Sequence, residues 1–418
     1  MAPSFAWRVF ACFLPFAAGY FLSYLLRSVN AVVGPTLAAE LHLNAAQLGA
    51  LTSAYFAAFV VSQIPLGIML DRHGPGRVQA ALLSSAVIGS VVFATAQDAV
   101  QLTIGRGLIG LGVSGALMSA FAANNLFWPR ERLALVNGIM LACGGLGAMV
   151  ATKPAQWALD LAGWRPLFAV LAVAAAAVVA HLWFSVPATV RAGTGAVAWR
   201  SELRGVVSVF RSPIFWRLVP MSVVSHGAFL AYQGLWAGPW LRDVGGLPPD
   251  VVADILLSVS AAMIVGFASS GMIFHAALRA GVRAETVVAA GSLGLAVLQL
   301  PLALGMATSA RWLWPAIGLF GASLSLGYTW LTQRFPPELA GRVRNGLTLL
   351  VSVAAFAVQS GVGGIIVWVG EAPAWIGHGI ALSILVALQL AGIAWFLWPR
   401  SAPLPPLATA PPPDHTRA

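Results

Sequence analysis

A chain of 418 residues that is 59% hydrophobic and only 9% charged lacks the polar surface to coat soluble domains of that size. Its mean hydropathy of +0.85 excludes a secreted enzyme, a disulfide scaffold and a disordered chain. The net charge of +10 does not mark a nucleic-acid partner either. The excess is Arg between apolar runs, where positive charge orients a membrane protein.

Crossing a bilayer takes about 20 apolar residues per helix. In chain order the apolar runs are 9–33, 46–70, 77–97, 101–125, 134–157, 165–187, 213–240, 250–274, 284–306, 311–333, 343–369 and 376–398. Runs of this length satisfy their own backbone in lipid only as helices. The predicted fold is an all-α membrane protein of twelve transmembrane helices. It divides into a six-helix bundle at 1–187, a basic cytoplasmic linker at 188–212, a second six-helix bundle at 213–398 and a tail at 399–418. The first run carries no trusted cleavage site and is read as a spanning helix, not a signal peptide. The Pro-rich tail is expected to be disordered. With both termini in the cytoplasm, seventeen Arg face inward and three (Arg165, Arg242 and Arg311) face outward. That asymmetry predicts a multi-pass protein of the bacterial inner membrane.

Smaller signals fit this frame. Cys12 and Cys143 lie inside apolar runs and read as packing residues, not a disulfide. Trp312, Trp314, Trp395 and Trp398 stand near run ends, as interface anchors do. The halves also repeat. Pro129 to Gly138 (PRERLALVNG) matches Pro337 to Gly346 (PELAGRVRNG) at an offset of 208, and Gly34-Pro35 matches Gly238-Pro239 at an offset of 204. Two concordant offsets predict tandem six-helix halves around a central site, one of the known transporter layouts.

Between the second and third runs stands Gly67-Ile-Met-Leu-Asp71-Arg72-His-Gly74-Pro-Gly76-Arg77. This resembles the loop signature of the major facilitator superfamily, with Gly76 where a second basic residue is common. The resemblance implies a conformational latch made by Gly67, Asp71, Arg72, Gly74 and Arg77, in which Gly67 lets helices approach closely. Arg106 followed by Gly110 and Gly112 matches a second pattern of that superfamily. Its antiporters often carry a Gly-Pro run in the fifth span; here Cys143-Gly144-Gly145-Leu-Gly147 has no proline, which argues against a drug/proton antiporter. Tyr24-Leu-Leu-Arg27 is similar to an element of the superfamily's organic-anion symporters. There the Arg grips the substrate carboxylate, and an acid often precedes it for proton coupling. Leu26 stands in that place, so anion binding carries over to Arg27 and the coupling residue does not.

The distribution of charge points the same way without the resemblance. All thirteen acids fall in loops or at run ends, whereas Arg27, Arg106 and Lys153 lie inside runs. Placing a charge at helix centre costs on the order of 2.5–3.5 kcal/mol on insertion scales. Three convergent cations without a membrane-depth carboxylate would make a net-positive cavity, for which an anion is the natural counter-charge. Asn30 shares a helix face with Arg27. His226, Gln233, Trp236 and Trp240 form a polar-aromatic stripe predicted to face Arg27, and His226 is a candidate proton carrier. Bland readings stand beside these: Lys153 snorkelling, Arg106 capping carbonyls or pairing with Asp98 or Asp160, and His226 packed and neutral.

The expected function is a secondary transporter that moves a small polar, anionic solute by alternating access. No phosphate-binding GxxxxGK[ST] loop is present, so gradients would supply the energy. No cofactor or metal is expected, and no enzyme activity. The expected partners are the solute, the lipid bilayer and a coupling proton, with the chain a monomer. A carrier of a metal chelate or a neutral metabolite, with the bases purely structural, is the competing reading. A non-transporting receptor is a more remote one.

Overall fold

The computed structural model describes residues 5–129, 132–186, 199–336, 339–370 and 372–398. The tail at 399–418, expected to be disordered, lies outside the described residues, as do Arg130, Glu131, Pro337 and Glu338 of the repeated segments. Among the described residues there is helix and no strand. Ten continuous helices are long and apolar enough to cross a membrane, and the bent pair Val136–Val150 and Lys153–Ala162 makes an eleventh crossing, with a 40° break. The twelfth is built from Ala310–Ser323 and Ser325–Thr332, joined at Leu324. Six crossings precede residue 187 and six follow residue 212.

The twelve spans differ in detail from the apolar runs. Span 1 runs on from Arg8–Phe13 and Leu14–Ser28 into Asn30–Glu40, past the expected end at 33, although Pro35 sits inside the last piece. Span 2 is Ala45–His73, opened by a capping box in which Asn44 accepts from the Gln47 backbone and Gln47 reciprocates. Span 5 is longer than its run. It breaks at Ala151–Thr152 and restarts at Lys153–Ala162, with Pro154 where a helix start tolerates it. Span 7 contains a π-helical turn at Tyr232–Trp236 that joins Pro213–Ala231 to Ala237–Asp243. Part of the linker is helical, at Trp199–Phe210.

The sequence repeat has a structural counterpart. In the first half, span 1 packs on span 5, span 2 on span 4 and span 3 on span 6. In the second half, span 7 packs on span 11, span 8 on span 10 and span 9 on span 12, the same pairings shifted by six. Spans 2 and 11, spans 5 and 8, and the last pieces of spans 1 and 7, Asn30–Glu40 and Ala237–Asp243, form the seam between the halves.

That seam is tight because it is built from small residues. A Cβ placed on Gly238 would lie 2.0 Å from the Ala31 carbonyl oxygen, and one on Gly363 would lie 2.4 Å from that of Ala45. One on Gly49 would lie 2.7 Å from the Gln359 carbonyl oxygen. The repeated Gly-Pro steps therefore sit on the seam itself, where Gly34 also meets Leu235. Ser53 donates 3.2 Å to the Phe356 carbonyl and lies 2.7 Å from the Ser360 hydroxyl. These contacts gather at the end of the bundle that holds the span 1–2 and span 7–8 loops.

The tryptophans divide by helix face. Trp312, Trp395 and Trp398 are exposed, as anchors should be, but Trp314 is 1% exposed. Two residues along a helix turn a side chain by about 200°, so Trp312 faces out and Trp314 faces the core. Trp314 is a packing residue, not an anchor.

Candidate functional site

Arg27 occupies the last turn of Leu14–Ser28, just before span 1 restarts at Asn30. Its guanidinium lies 3.9 Å above the Tyr24 ring, and Tyr24 meets Tyr20 edge-to-face with centroids 5.1 Å apart. The glycine run of span 5 makes room for these rings: a Cβ on Gly144 would lie 2.5 Å from Tyr20. Tyr55 of span 2 completes the aromatic wall, within electrostatic reach of both Arg27 and Arg106.

Arg106 is fully buried. Its Nη1 donates 2.8 Å to the Leu26 carbonyl, one residue before Arg27, and its guanidinium sits 5.3 Å from the Tyr55 ring centroid. Span 4 reaches this place because Gly110 packs on the Tyr55 backbone and Gly112 on that of Ala86; added Cβ atoms would lie 2.2 and 2.3 Å from them. Of the two bland readings of Arg106, the carbonyl contact is therefore present, and the pairing with Asp98 or Asp160 is not. Asp98 caps the start of span 4 by accepting from the Gln101 backbone, and Asp160 accepts from Gln156.

The structure thus brings Arg27 and Arg106 to one tyrosine-lined region. Among the described residues no carboxylate pairs with either, and the Nε of each is buried without a partner. Tyrosine faces attract a cation by about 0.5–2 kcal/mol, less than a buried charge gives up on leaving water. Two positive charges at this depth leave a demand for negative charge.

Lys153 does not share that region, which corrects the expectation of three convergent cations. It begins the second piece of span 5 and forms an ion pair with Asp254 of span 8, Nζ to Oδ1 2.6 Å, with side chains 24% and 52% exposed. The break at Thr152 turns the lysine outward to the seam, where an acid meets it.

The stripe on span 7 also divides. Gln233 Nε2 donates 3.1 Å to the Ser28 hydroxyl, and Trp236 Nε1 donates 3.1 Å to the Gln359 carbonyl, so both belong to the seam beside Arg27. Trp240 is buried against Trp314 with centroids 5.8 Å apart and faces no shared cleft. His226 Nδ1 lies 2.9 Å from the Ser222 carbonyl. That oxygen only accepts, so Nδ1 carries a proton. The ring meets Tyr328 edge-to-face at 5.4 Å, and Tyr328 is within electrostatic reach of Tyr24 in the other half. Asn30 is fully buried and donates 3.3 Å to the Thr52 hydroxyl.

The loop motif is partly described. Gly74 caps span 2 at φ +79°, a left-handed geometry that favours glycine, and Pro75 opens span 3. Arg72 and Arg77 are exposed; the Asp71 side chain lies outside what the structure describes. Gly67 makes no close approach, because a Cβ there meets nothing within 4 Å. The close contact falls instead at Gly76, whose added Cβ would lie 2.7 Å from Val186 at the end of span 6. A basic side chain at 76 would have to displace that valine.

The sequence did not single out Tyr20, Tyr55, Tyr328, Ser28, Thr52 or Gln359. The tyrosines were visible as polar rings inside apolar runs. Gln359 is a lone amide in such a run and gave no pattern. The halves are not chemically equivalent, since the offset of 208 places Trp314 opposite Arg106.

A twofold bundle of helical spans with basic and aromatic side chains at its centre defines a polytopic membrane protein. The model of the Major Facilitator Superfamily matches residues 16–356, and the chain belongs to that family. Relatives include the hexuronate transporter of Escherichia coli (strain K12), 28% identical over 152 residues, covering 36% of this chain and 35% of the relative. A probable sulfoacetate transporter of Cupriavidus necator is 29% identical over the same shares. A nitrate/nitrite transporter of Nostoc punctiforme is 26% identical over 208 residues, 48% of this chain and 41% of the relative. These alignments span well under half the length of the relatives. A bacterial homologue of the human lysosomal transporter Spinster, solved inward-facing and unoccupied, superposes with a TM-score of 0.76 at 18% identity, over 94% of this chain and 97% of that one. At that identity the likeness shows the fold.

Proposed function

We propose that the chain is a secondary transporter that carries a small anion across the bacterial inner membrane, with both termini in the cytoplasm. In this reading the halves 1–187 and 213–398, joined by 188–212, rock about a central site, and Arg27 grips the negative group of the solute. The observation that carries the reading is the pair of guanidinium groups, Arg27 and Arg106, held at membrane depth by tyrosines and a carbonyl, with no carboxylate beside them among the described residues. An arriving anion supplies the missing charge, and the planar guanidinium suits carboxylate geometry. The relatives named above transport a hexuronate, a sulfoacetate and nitrate or nitrite, all anions. The seam through Gly49, Gly238 and Gly363 supports an arrangement closed toward the outside. The energy source in this reading is a gradient, with the proton as coupling ion.

Uptake tests it. Cells producing Arg27→Ala should lose anion uptake while surface expression persists. Unchanged uptake removes Arg27 from the site.

A further inference from the structure

Just outward of Arg27, the seam holds a layer of amide side chains whose hydrogen bonding is incomplete. Asn30 of span 1, Gln233 of span 7 and Gln359 of span 11 are 0%, 7% and 0% exposed. Asn30 Oδ1, Gln233 Oε1 and both polar atoms of the Gln359 amide are buried without a partner. Shared neighbours bring the three together. A Cβ on Gly234, next to Gln233, would lie 3.5 Å from Gln359 Nε2 and 4.0 Å from the Arg27 carbonyl. Gly49 packs on the Gln359 backbone, and Thr52, one turn along the same helix, receives the Asn30 amide.

The orientation of Asn30 follows from that last bond. The Thr52 hydroxyl donates 2.9 Å to the Leu48 carbonyl, so it has only lone pairs left for Asn30. The Asn30 nitrogen must therefore face Thr52, and its oxygen is the free atom.

Most buried polar groups in folded proteins are hydrogen-bonded, and each exception asks for a reason. Leaving one unpaired costs roughly 1–3 kcal/mol. Here four such atoms fall on three helices drawn from both halves, with Asn30 one turn from Arg27 and Gln359 sharing a neighbour with the Arg27 carbonyl. Three are carbonyl oxygens, which need donors. Nitrate offers none. A simple alkyl carboxylate offers none either, since its ionised end only accepts. A neutral polyol offers donors but leaves Arg27 and Arg106 uncompensated.

We infer that the amide layer of Asn30, Gln233 and Gln359 reads hydroxyl groups, so that the solute is a hydroxylated carboxylate whose anionic end lies on Arg27. The inference rests on the anion reading above and narrows it. When the outer seam parts, these amides face the opening. When it closes around a solute, its hydroxyls supply the hydrogen bonds that the empty seam lacks.

The test uses the purified full-length protein and thermal-shift titration with matched pairs: gluconate against hexanoate, and glycerate against propionate. Nitrate and sorbitol complete the panel. At least one hydroxy acid should bind ten-fold or more tightly than its deoxy partner and than nitrate. Gln359→Leu should still bind the hydroxy acid but shrink that preference to three-fold or less. It should also leave the empty protein as stable as wild type or more so, since it removes two unpaired polar atoms. Arg27→Ala should abolish binding of every anion in the panel. Equal binding of the paired acids overturns the hydroxyl inference and leaves the anion reading standing. Sorbitol binding that survives Arg27→Ala overturns the anion reading. Absence of binding by both hydroxy acids overturns the inference.

Discussion

Lys153 and Asp254 meet at 2.6 Å across the seam, one from each half of the molecule. Along the same pair of spans, Gly145 packs on Ile264, and Ser260 donates 3.4 Å to the Ala148 carbonyl. A partly exposed ion pair contributes about 0.2–1 kcal/mol, enough to shift an equilibrium between closed and open seams up to about five-fold. Lys153→Glu should raise the reactivity of a cysteine placed in the 244–248 loop toward an impermeant thiol reagent. The double exchange Lys153→Asp with Asp254→Lys should restore the wild-type rate. A double exchange as reactive as the single variant would show that the pair does not hold the seam.

Gly238→Ala should act more strongly. Its methyl would enter the Ala31 carbonyl at 2.0 Å, and backbone on both sides leaves little room to give. Overpacking of this kind costs about 1–3 kcal/mol. The same thiol assay should show a seam open at least several-fold more often. Gly67→Ala is the control, since its methyl meets nothing within 4 Å and alanine favours a helix by about 1 kcal/mol over glycine. It should fold with unchanged or raised thermal stability.

Arg106→Gln separates charge from scaffolding. The amide ends two bonds short of the Nη1 that donates to the Leu26 carbonyl, so the variant loses that bond together with the charge, and thermal stability read beside uptake separates the two effects. For a charge that helps hold the solute, the Michaelis constant for anion uptake should rise ten-fold or more at normal expression. A Michaelis constant within two-fold of wild type would assign Arg106 to the scaffold.

Glu40 supplies a pH prediction. Beside the loop between spans 1 and 2, its carboxylate is bound by Arg165 and, at 2.6 Å, by the Trp164 indole N–H. The Arg165 bond first, and then that of Trp164, hold its carboxyl below the usual range. The contribution is present above the ordinary carboxylate pKa of about 4.3 and is lost as pH falls through the lowered folded value. Melting temperature below about pH 4 should fall more steeply for wild type than for Glu40→Gln. Parallel curves would mean that the link adds no stability.

Membrane class, twelve crossings and the twofold repeat were legible because hydropathy and motif offsets are properties of a line of residues. Arg27 was legible as a cation with no nearby acid in its own run. Lys153 looked the same by that test, yet its acid lies 101 residues away, and only the break at Thr152 brings the two together. Trp314 was misread for a related reason: distance from a run end says nothing of helix face. Gln359 escaped because its meaning lies in what surrounds it, two unpaired amide atoms beside residues from two other spans. Gly67 was read as a close-packing residue, whereas the crowding belongs to Gly76.

The replacement of Arg106 by Trp314 at the equivalent place in the second half has an electrical consequence. Both central cations ride on the first half, whereas the described residues at the matching place in the second bring aromatic rings and a histidine, and the partly buried charges Arg334 and Glu285 pair with each other. Reorientation of the second half past the first therefore displaces little charge along the bilayer normal. In the rocking arrangement proposed above, membrane voltage acts on the empty protein through the first half, which carries both guanidinium groups, and not through the core of the second.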